Sequence, residues 1–391
     1  LFMYKIQTYN AISDKGLTRF PSESYEVGPD VESADALILR SHKLHGQDIP
    51  ASVAAVARAG AGVNNVPVEE YSAQGIVVFN TPGANANAVK ELVLTGILMS
   101  CRDIAGGIDF VRNIDGISDE AEMAKLLEQE KKKFAGSEIK GKTLGVIGLG
   151  AIGALVANVA VELGMKVVGF DPAISVEAAW KLSRRVEKMD SVEALISRAD
   201  FITVHVPAIP ATKHLINSEK LALCKKGAVL LNFAREQVVE EEAVIDALES
   251  GNLRRFVTDF PTLALAKRLD VIPMPHIGAS TAEAEENCAI MAADQLMDYL
   301  ENGNIKNSVN FPATSMPRNG GSRITFANNN VPKVLGSVLS ILADKNLNVI
   351  DMLNRSRDDL AYNLIDVEGE LDAELKDAIS SVEGVLNVRL V

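Results

Sequence analysis

Short apolar runs separated by Gly, Pro and Asn mark the first ninety residues. The runs at 5–9, 36–39, 53–58 and 77–80 alternate with polar, turn-forming segments in the manner of a small α/β unit. An apolar helix is predicted over 89–100, and the polar, charged stretch 115–133 also reads as helical. From Leu144 the pattern changes. Strand-length apolar runs at 144–147, 166–170, 201–206, 228–233, 255–259 and 271–274 alternate with helical spacing at 154–163, 191–197 and 240–250. Strand and helix in regular alternation predict a doubly wound parallel sheet. Residues 282–301 carry a strong helical period that stops at Asn302-Gly303-Asn304, a C-cap signal, and this helix is expected to return the chain to the first domain. A Pro/Gly/Asn-rich linker over 310–321 precedes a new order: strand 322–327, helix 332–345, strands 348–355 and 362–368, helix 373–381, strand 386–390. That βαββαβ order predicts a small ferredoxin-like domain. The expected division is 1–88 with 280–312, then 89–279, then 320–391.

The 391 residues are 47% apolar and 23% charged, ordinary for a globular chain of two or three domains. No apolar run approaches the roughly 18 residues of a membrane span. Lys and Arg number 39 against 52 Asp and Glu, a net charge of −13 that argues against a general nucleic-acid binder and leaves any anionic ligand to a local basic pocket. Cys101, Cys224 and Cys288 lack metal-ligand spacing, so no metal site is expected and reduced thiols in a cytoplasmic protein are. Leu1 and Phe2 read as vector residues before an initiating Met3, with no export signal.

One segment carries specific chemistry. Gly148, Gly150 and Gly153 form G-x-G-x-x-G between the strand at 144–147 and the following helix. The first glycine allows the tight turn, the second lets a pyrophosphate approach the backbone, and the third lets helix and strand pack closely. Asp171 closes the next strand, where a carboxylate accepts hydrogen bonds from ribose hydroxyls and repels a 2′-phosphate; NAD is therefore expected rather than NADP. Three further constellations stand at strand ends. In Asn232-Phe233-Ala234-Arg235 the guanidinium suits a bidentate carboxylate, although a surface arginine is the plainer alternative. In Pro275-His276-Ile277-Gly278-Ala279-Ser280 the imidazole is the natural base for an alcohol proton, with His205 as its rival. In the first domain, Arg40-Ser41, the loop 60–65 containing Ala61 and Gly62, and the segment 80–85 ending at Asn85 offer backbone N–H groups and a cation to anions, unless the glycine loop is a plain turn.

Together these motifs, in this order, resemble the D-isomer-specific 2-hydroxyacid dehydrogenases over nearly the whole chain. The resemblance implies a Rossmann-type NAD domain, a discontinuous flavodoxin-like substrate domain, and a C-terminal ferredoxin-like βαββαβ module similar to an ACT domain. It implies that Arg235 binds the substrate carboxylate, that His276 is the acid/base, and that Asp259 holds the nicotinamide amide. NAD contacts are implied at Ile152, Pro207, Thr212, Ala234 and Gly278, and substrate contacts at Arg40, Ser41, Ala61, Gly62 and Asn85. Lys131 falls near a position that reaches a neighbouring subunit's phosphate site, unless the lysine run is plain solvated surface; the exposed sheet edges of the βαββαβ module commonly pair with a second copy, so a homodimer or homotetramer is expected. In the ACT-like module Asn330 and Asn348, with Asn328 nearby, are implied contacts of an L-serine effector across a domain–domain interface. Lys333 departs from the family's usual glycine there and alters the effector pocket, so serine inhibition stands against a purely structural dimerisation role. A second departure is the absence of a Glu in Asp259-Phe260-Pro261-Thr262-Leu263-Ala264-Leu265, where the family usually has one paired with the catalytic histidine. The expected activity is NAD-dependent oxidation of D-3-phosphoglycerate, a phosphorylated 2-hydroxy acid, with His276 working unaided or with a carboxylate from elsewhere. The rivals are a glyoxylate or hydroxypyruvate reductase, another D-2-hydroxyacid dehydrogenase, and a non-catalytic NAD(H) sensor.

Overall fold

A computed structural model of the protein describes residues 3–391; Leu1 and Phe2, read above as vector residues, lie outside the described part. Two compact units result, one of the described residues up to Asn85 with Thr281–Val391, the other Ala86–Ser280.

In the first unit β1 (Tyr4–Tyr9), β2 (Tyr25–Gly28), β3 (Ala36–Leu39), β4 (Ala55–Arg58) and β5 (Val77–Phe79) form a parallel sheet in the flavodoxin-like order β2-β1-β3-β4-β5. Every residue of β3 is buried because both faces are covered, as a parallel sheet requires. Ile6, Ile38, Ala57 and Phe79 pack with Ala289, Ala292 and Leu296 of the helix Ala282–Asn302, while Leu37, Leu39 and Val78 pack with Leu44, Val66 and Tyr71. The strand β2 was not foreseen, since Tyr25-Glu26-Val27-Gly28 is a short edge segment of mixed polarity.

The C-terminal residues form β13 (Ser322–Asn329), β14 (Val349–Arg357), β15 (Leu360–Val367) and β16 (Val385–Leu390), an antiparallel sheet in the order β14-β15-β13-β16 with the helices Val334–Asp344 and Ala373–Ser380. One face meets those helices through Ile324, Phe326, Ile365, Val338 and Ile379. The other carries Ala327, Tyr362 and Leu364 into the core of the first sheet's unit, beside Tyr299 and Phe311. This face also satisfies the end of the helix Ala282–Asn302, whose last carbonyls have no partner within the helix. Arg389 donates to the carbonyls of Tyr299 (2.8 Å) and Leu300 (2.7 Å), Arg323 to Asn302 (2.9 Å), and the Tyr362 hydroxyl to Gly303 (2.8 Å). Cations at a helix C-terminus also oppose its dipole favourably.

In the second unit β6 (Thr143–Ile147), β7 (Lys166–Phe170), β8 (Val186–Lys188), β9 (Phe201–Val204), β10 (Ala228–Asn232), β11 (Leu253–Thr258) and β12 (Val271–Pro273) form the doubly wound parallel sheet, ordered β12-β11-β10-β9-β6-β7-β8. Strand order reverses between β6 and β9, the place where such sheets bind ligands. The helices Ala86–Cys101 and Ala151–Glu162 meet through Val89, Val93, Val156 and Ala160 on one face. The stretch 115–133 is not one helix. Gly116 turns at φ +75°, the Asp119 side chain caps Glu120–Glu130, and a separate helix runs over Ile104–Arg112. Among the described residues no helix is long and apolar enough to cross a membrane.

Candidate active site

The strand β6 ends in the glycine turn. Gly148 has φ +91°, and a Cβ on it would lie 2.7 Å from the His205 carbonyl oxygen. Gly150 precedes the first turn of the helix Ala151–Glu162, and a Cβ there would meet nothing within 4 Å, leaving an open cradle at the positive helix end. A Cβ on Gly153 would lie 1.9 Å from the Gly148 carbonyl oxygen, so helix and turn are in direct backbone contact. Asp171 braces this turn: Oδ2 accepts from Leu149 N–H (2.8 Å) and Oδ1 from Ala173 N–H (2.9 Å), and each oxygen retains a lone pair for a ribose hydroxyl. Across the switch point, Thr212 Oγ1 donates to the Pro207 carbonyl and accepts from Ile209 N–H (3.0 Å), closing a compact loop. Ile152 packs at the edge of the core behind the turn. These groups fit a dinucleotide pyrophosphate and ribose.

His205 follows β9. Its Nε2 meets Thr203 Oγ1 at 2.9 Å, while Nδ1 is enclosed without a hydrogen-bond partner among the described residues. Burial pushes it down to about 4, so at neutral pH the ring is uncharged and a poor proton acceptor.

The ends of β10, β11 and β12, neighbours in the sheet, present the other groups. Asn232 folds the first corner, accepting from Ala234 N–H (3.1 Å) and donating to the Arg235 carbonyl (3.0 Å). The Arg235 side chain is exposed and, among the described residues, donates to the Ala234 carbonyl alone (2.7 Å), so most of its donors face solvent. Asp259, 2% exposed after β11, accepts from Ile277 N–H (2.9 Å) and Gly278 N–H (2.8 Å). It thereby clamps the loop that carries His276, whose φ of +55° is unfavourable for a non-glycine residue and is held by that clamp. The His276 ring is exposed and rests on Phe260, centroids 4.8 Å apart and planes at 59°. Among the described residues no carboxylate hydrogen-bonds to it, and the Phe260 ring supports it instead.

The first-unit constellation is also brought together. Arg40 leaves β3, and its carbonyl accepts from Arg58 Nε and Asn65 Nδ2, both at 3.1 Å. Arg58 in turn packs against Gly60, where a Cβ would lie 1.5 Å from its guanidinium. Asn80 Nδ2 donates to Ala61 O (2.7 Å), and Thr81 N–H to Gly60 O (3.0 Å). Arg40 Nη2 pairs with Glu285 Oε1 at 2.5 Å. Ser41 is exposed and Gly62 and Asn85 half-buried. Arg58 and Glu285 were missed; Arg58 had the same signal as Arg40 and Arg235, an arginine at the end of an apolar strand. Lys131 lies on an exposed turn paired with Glu128 (2.6 Å).

In the C-terminal sheet Asn328 is buried and accepts from Asn363 Nδ2 (2.8 Å), and Asn330 bonds the Asp358 and Asp359 carbonyls. Asn348 instead bonds Glu368 (3.1 Å), at the other end of β15, so one chain does not bring it beside Asn330. Lys333 adopts φ +77°, the conformation for which glycine is suited.

A glycine turn and helix N-terminus at the switch point of a parallel sheet, with an arginine and a histidine at nearby strand ends, define a dinucleotide-dependent dehydrogenase. The chain belongs to the D-isomer specific 2-hydroxyacid dehydrogenases, whose NAD binding domain matches residues 104–278. It is 33% identical over 342 residues to the D-3-phosphoglycerate dehydrogenase of Haemophilus influenzae, covering 84% of this chain and 79% of the relative. It is 33% identical over 335 residues to that of Methanocaldococcus jannaschii, covering 83% of this chain but 60% of the longer relative. Among solved structures, NAD+-bound 3-phosphoglycerate dehydrogenase of Entamoeba histolytica superposes with a TM-score of 0.60 at 26% identity, over 79% of this chain and 99% of that one. The dinucleotide is NAD.

Proposed function

We propose that the protein oxidises D-3-phosphoglycerate to 3-phosphohydroxypyruvate, the entry step of L-serine biosynthesis, in the cytoplasm. The observation that carries the reading is the trio Arg235, Asp259 and His276 at the ends of three adjacent strands, with Asp259 fixing the histidine loop through two hydrogen bonds. Arg235 binds the substrate carboxylate bidentately with its unoccupied donors. His276 takes the proton from the C2 hydroxyl oxygen. NAD, when bound, accepts the hydride from that carbon. Arg40 and Arg58 supply positive charge for the phosphate ester, with the Gly60–Gly62 backbone alongside. Asp259 also has lone pairs left for the nicotinamide amide. Residues 320–391 form an ACT-like module that binds L-serine through Asn328 and Asn330 of one copy and Asn348 of another, in a homodimer or homotetramer.

The test follows NADH absorbance with 3-phosphohydroxypyruvate and with hydroxypyruvate, each with and without L-serine. Rapid oxidation only with the phosphorylated keto acid, lost in Arg40→Ala, supports the reading. His276→Asn is expected to lower kcat by about 10²- to 10⁴-fold. Equal use of hydroxypyruvate would make the protein a hydroxypyruvate reductase, and tight NADH binding without turnover would make it a sensor.

A further inference from the structure

We propose that Glu285 is a specificity-determining residue that weakens the site's hold on dianionic phosphate esters relative to 2-hydroxy acids without a phosphate; this rests on the function proposed above. Arg40 is the cation that the 60–65 loop and Arg58 brace at the end of β3, through two hydrogen bonds to its own carbonyl. Its side chain is already engaged, with Nη2 2.5 Å from Glu285 Oε1. Both side chains are 41% exposed, so the pair is open to an incoming ligand.

Glu285 is held there by its own element. It occupies the first turn of the helix Ala282–Asn302, where Thr281 caps the helix and the dipole favours a carboxylate. That helix is anchored by Ala289, Ala292 and Leu296 in the core. The carboxylate therefore stays near Arg40 even when Arg40 takes another partner. A phosphate binding the remaining edge of the Arg40 fork meets a like charge across the guanidinium, and a phosphate that displaces Glu285 forfeits the ion pair. Either route costs a dianion and spares a ligand with a neutral hydroxymethyl end. For partly exposed charges about 6 Å apart, the cost corresponds to roughly three- to tenfold in affinity. Glutamine in the same place keeps an oxygen for Arg40 and removes the charge.

The experiment compares Glu285→Gln with wild type, measuring kcat/KM for 3-phosphohydroxypyruvate and for hydroxypyruvate at saturating NADH and fixed ionic strength. The ratio of the two is expected to rise three- to tenfold in the variant, and the rise to shrink in high salt. An unchanged or lower ratio overturns the proposal, the lower ratio showing that Glu285 instead orients Arg40 for phosphate. Calorimetric titration with inorganic phosphate separates this from the activity itself. If neither keto acid is reduced, the proposed reaction fails, yet tighter phosphate binding by Glu285→Gln still supports the role of the charge and equal or weaker binding refutes it.

Discussion

Arg323 holds the C-terminal sheet to the rest of its unit, and its replacement offers a demanding test of that packing. The side chain is fully buried, and its five N–H groups meet five acceptors: Asp366 Oδ1 (2.6 Å) and Oδ2 (2.7 Å), and the carbonyls of Asn302 (2.9 Å), Met316 (2.9 Å) and Pro317 (3.0 Å). Arg323→Met leaves Asp366 buried and unpaired, which costs about 3–5 kcal/mol, and orphans three carbonyls at up to about 1 kcal/mol each after relaxation. The sum, about 3–8 kcal/mol, rivals the whole stability of an ordinary domain, about 5–15 kcal/mol. Arg323→Lys retains the charge but has three donors for five acceptors, and about 2–3 kcal/mol is expected to be lost. The double variant Arg323→Met/Asp366→Leu removes the stranded carboxylate and should recover most of the single variant's loss. Urea denaturation followed by far-ultraviolet circular dichroism measures each, with hydrogen exchange over 360–367 to localise the effect. Fluorescence of Trp180 is not suitable, because that residue is exposed in the other unit. A lysine variant within about 0.5 kcal/mol of wild type, the scale of an ordinary surface substitution, would refute the claim that the fork geometry matters. So would a double variant no more stable than Arg323→Met.

Gly153→Ala forces a methyl group to within 1.9 Å of the Gly148 carbonyl oxygen. The helix start must move, so NADH binding by fluorescence titration should weaken at least about tenfold, the equivalent of about 1.4 kcal/mol; an unchanged Kd would sink the account of the turn. His205 titrates near 4 when folded, against about 6.5 for a free imidazole, so as pH falls the unfolded chain takes up a proton before the folded one does. Stability from this group is full above about pH 6.5 and declines towards pH 4, by roughly 2–3 kcal/mol. Urea midpoints at pH 7.5 and 4.5 should therefore fall less in His205→Gln than in wild type, and equal falls would contradict the assignment. Lys333→Gly relieves a φ of +77° and removes a cation from a helix N-terminus, for a gain of about 1 kcal/mol after the entropy cost of glycine. A lower thermal midpoint in that variant would show that Lys333 has a compensating contact.

Local pattern made much of this protein legible. The central strands are uninterrupted apolar runs because both faces of a parallel sheet are covered, and β6, β9 and β10 lay where the sequence placed them to within two residues. Asn302-Gly303 stopped the long helix through a left-handed glycine at φ +70°. The glycine fingerprint was readable because each position answers a local steric demand. Edge strands were not: β2 and β8 are short and only partly buried, so their composition resembles that of loops. The break at Gly116 was hidden because a polar helix and a polar turn look alike in hydropathy.

Which segments become strands and helices, and where a dinucleotide meets the backbone, follow from neighbours a few residues apart and are written in the chain's local pattern. What each polar group faces is settled by the folded packing instead. Arg323 meets Asp366, Arg40 meets Glu285, Asp259 clamps the His276 loop and Phe260 stands under its imidazole. A hydrophobic period states which side of an element is buried but names no partner for it. An ion pair or a clamp joins residues far apart in the chain, so it exists only once the sheets have closed and the desolvated charges have found their counterparts.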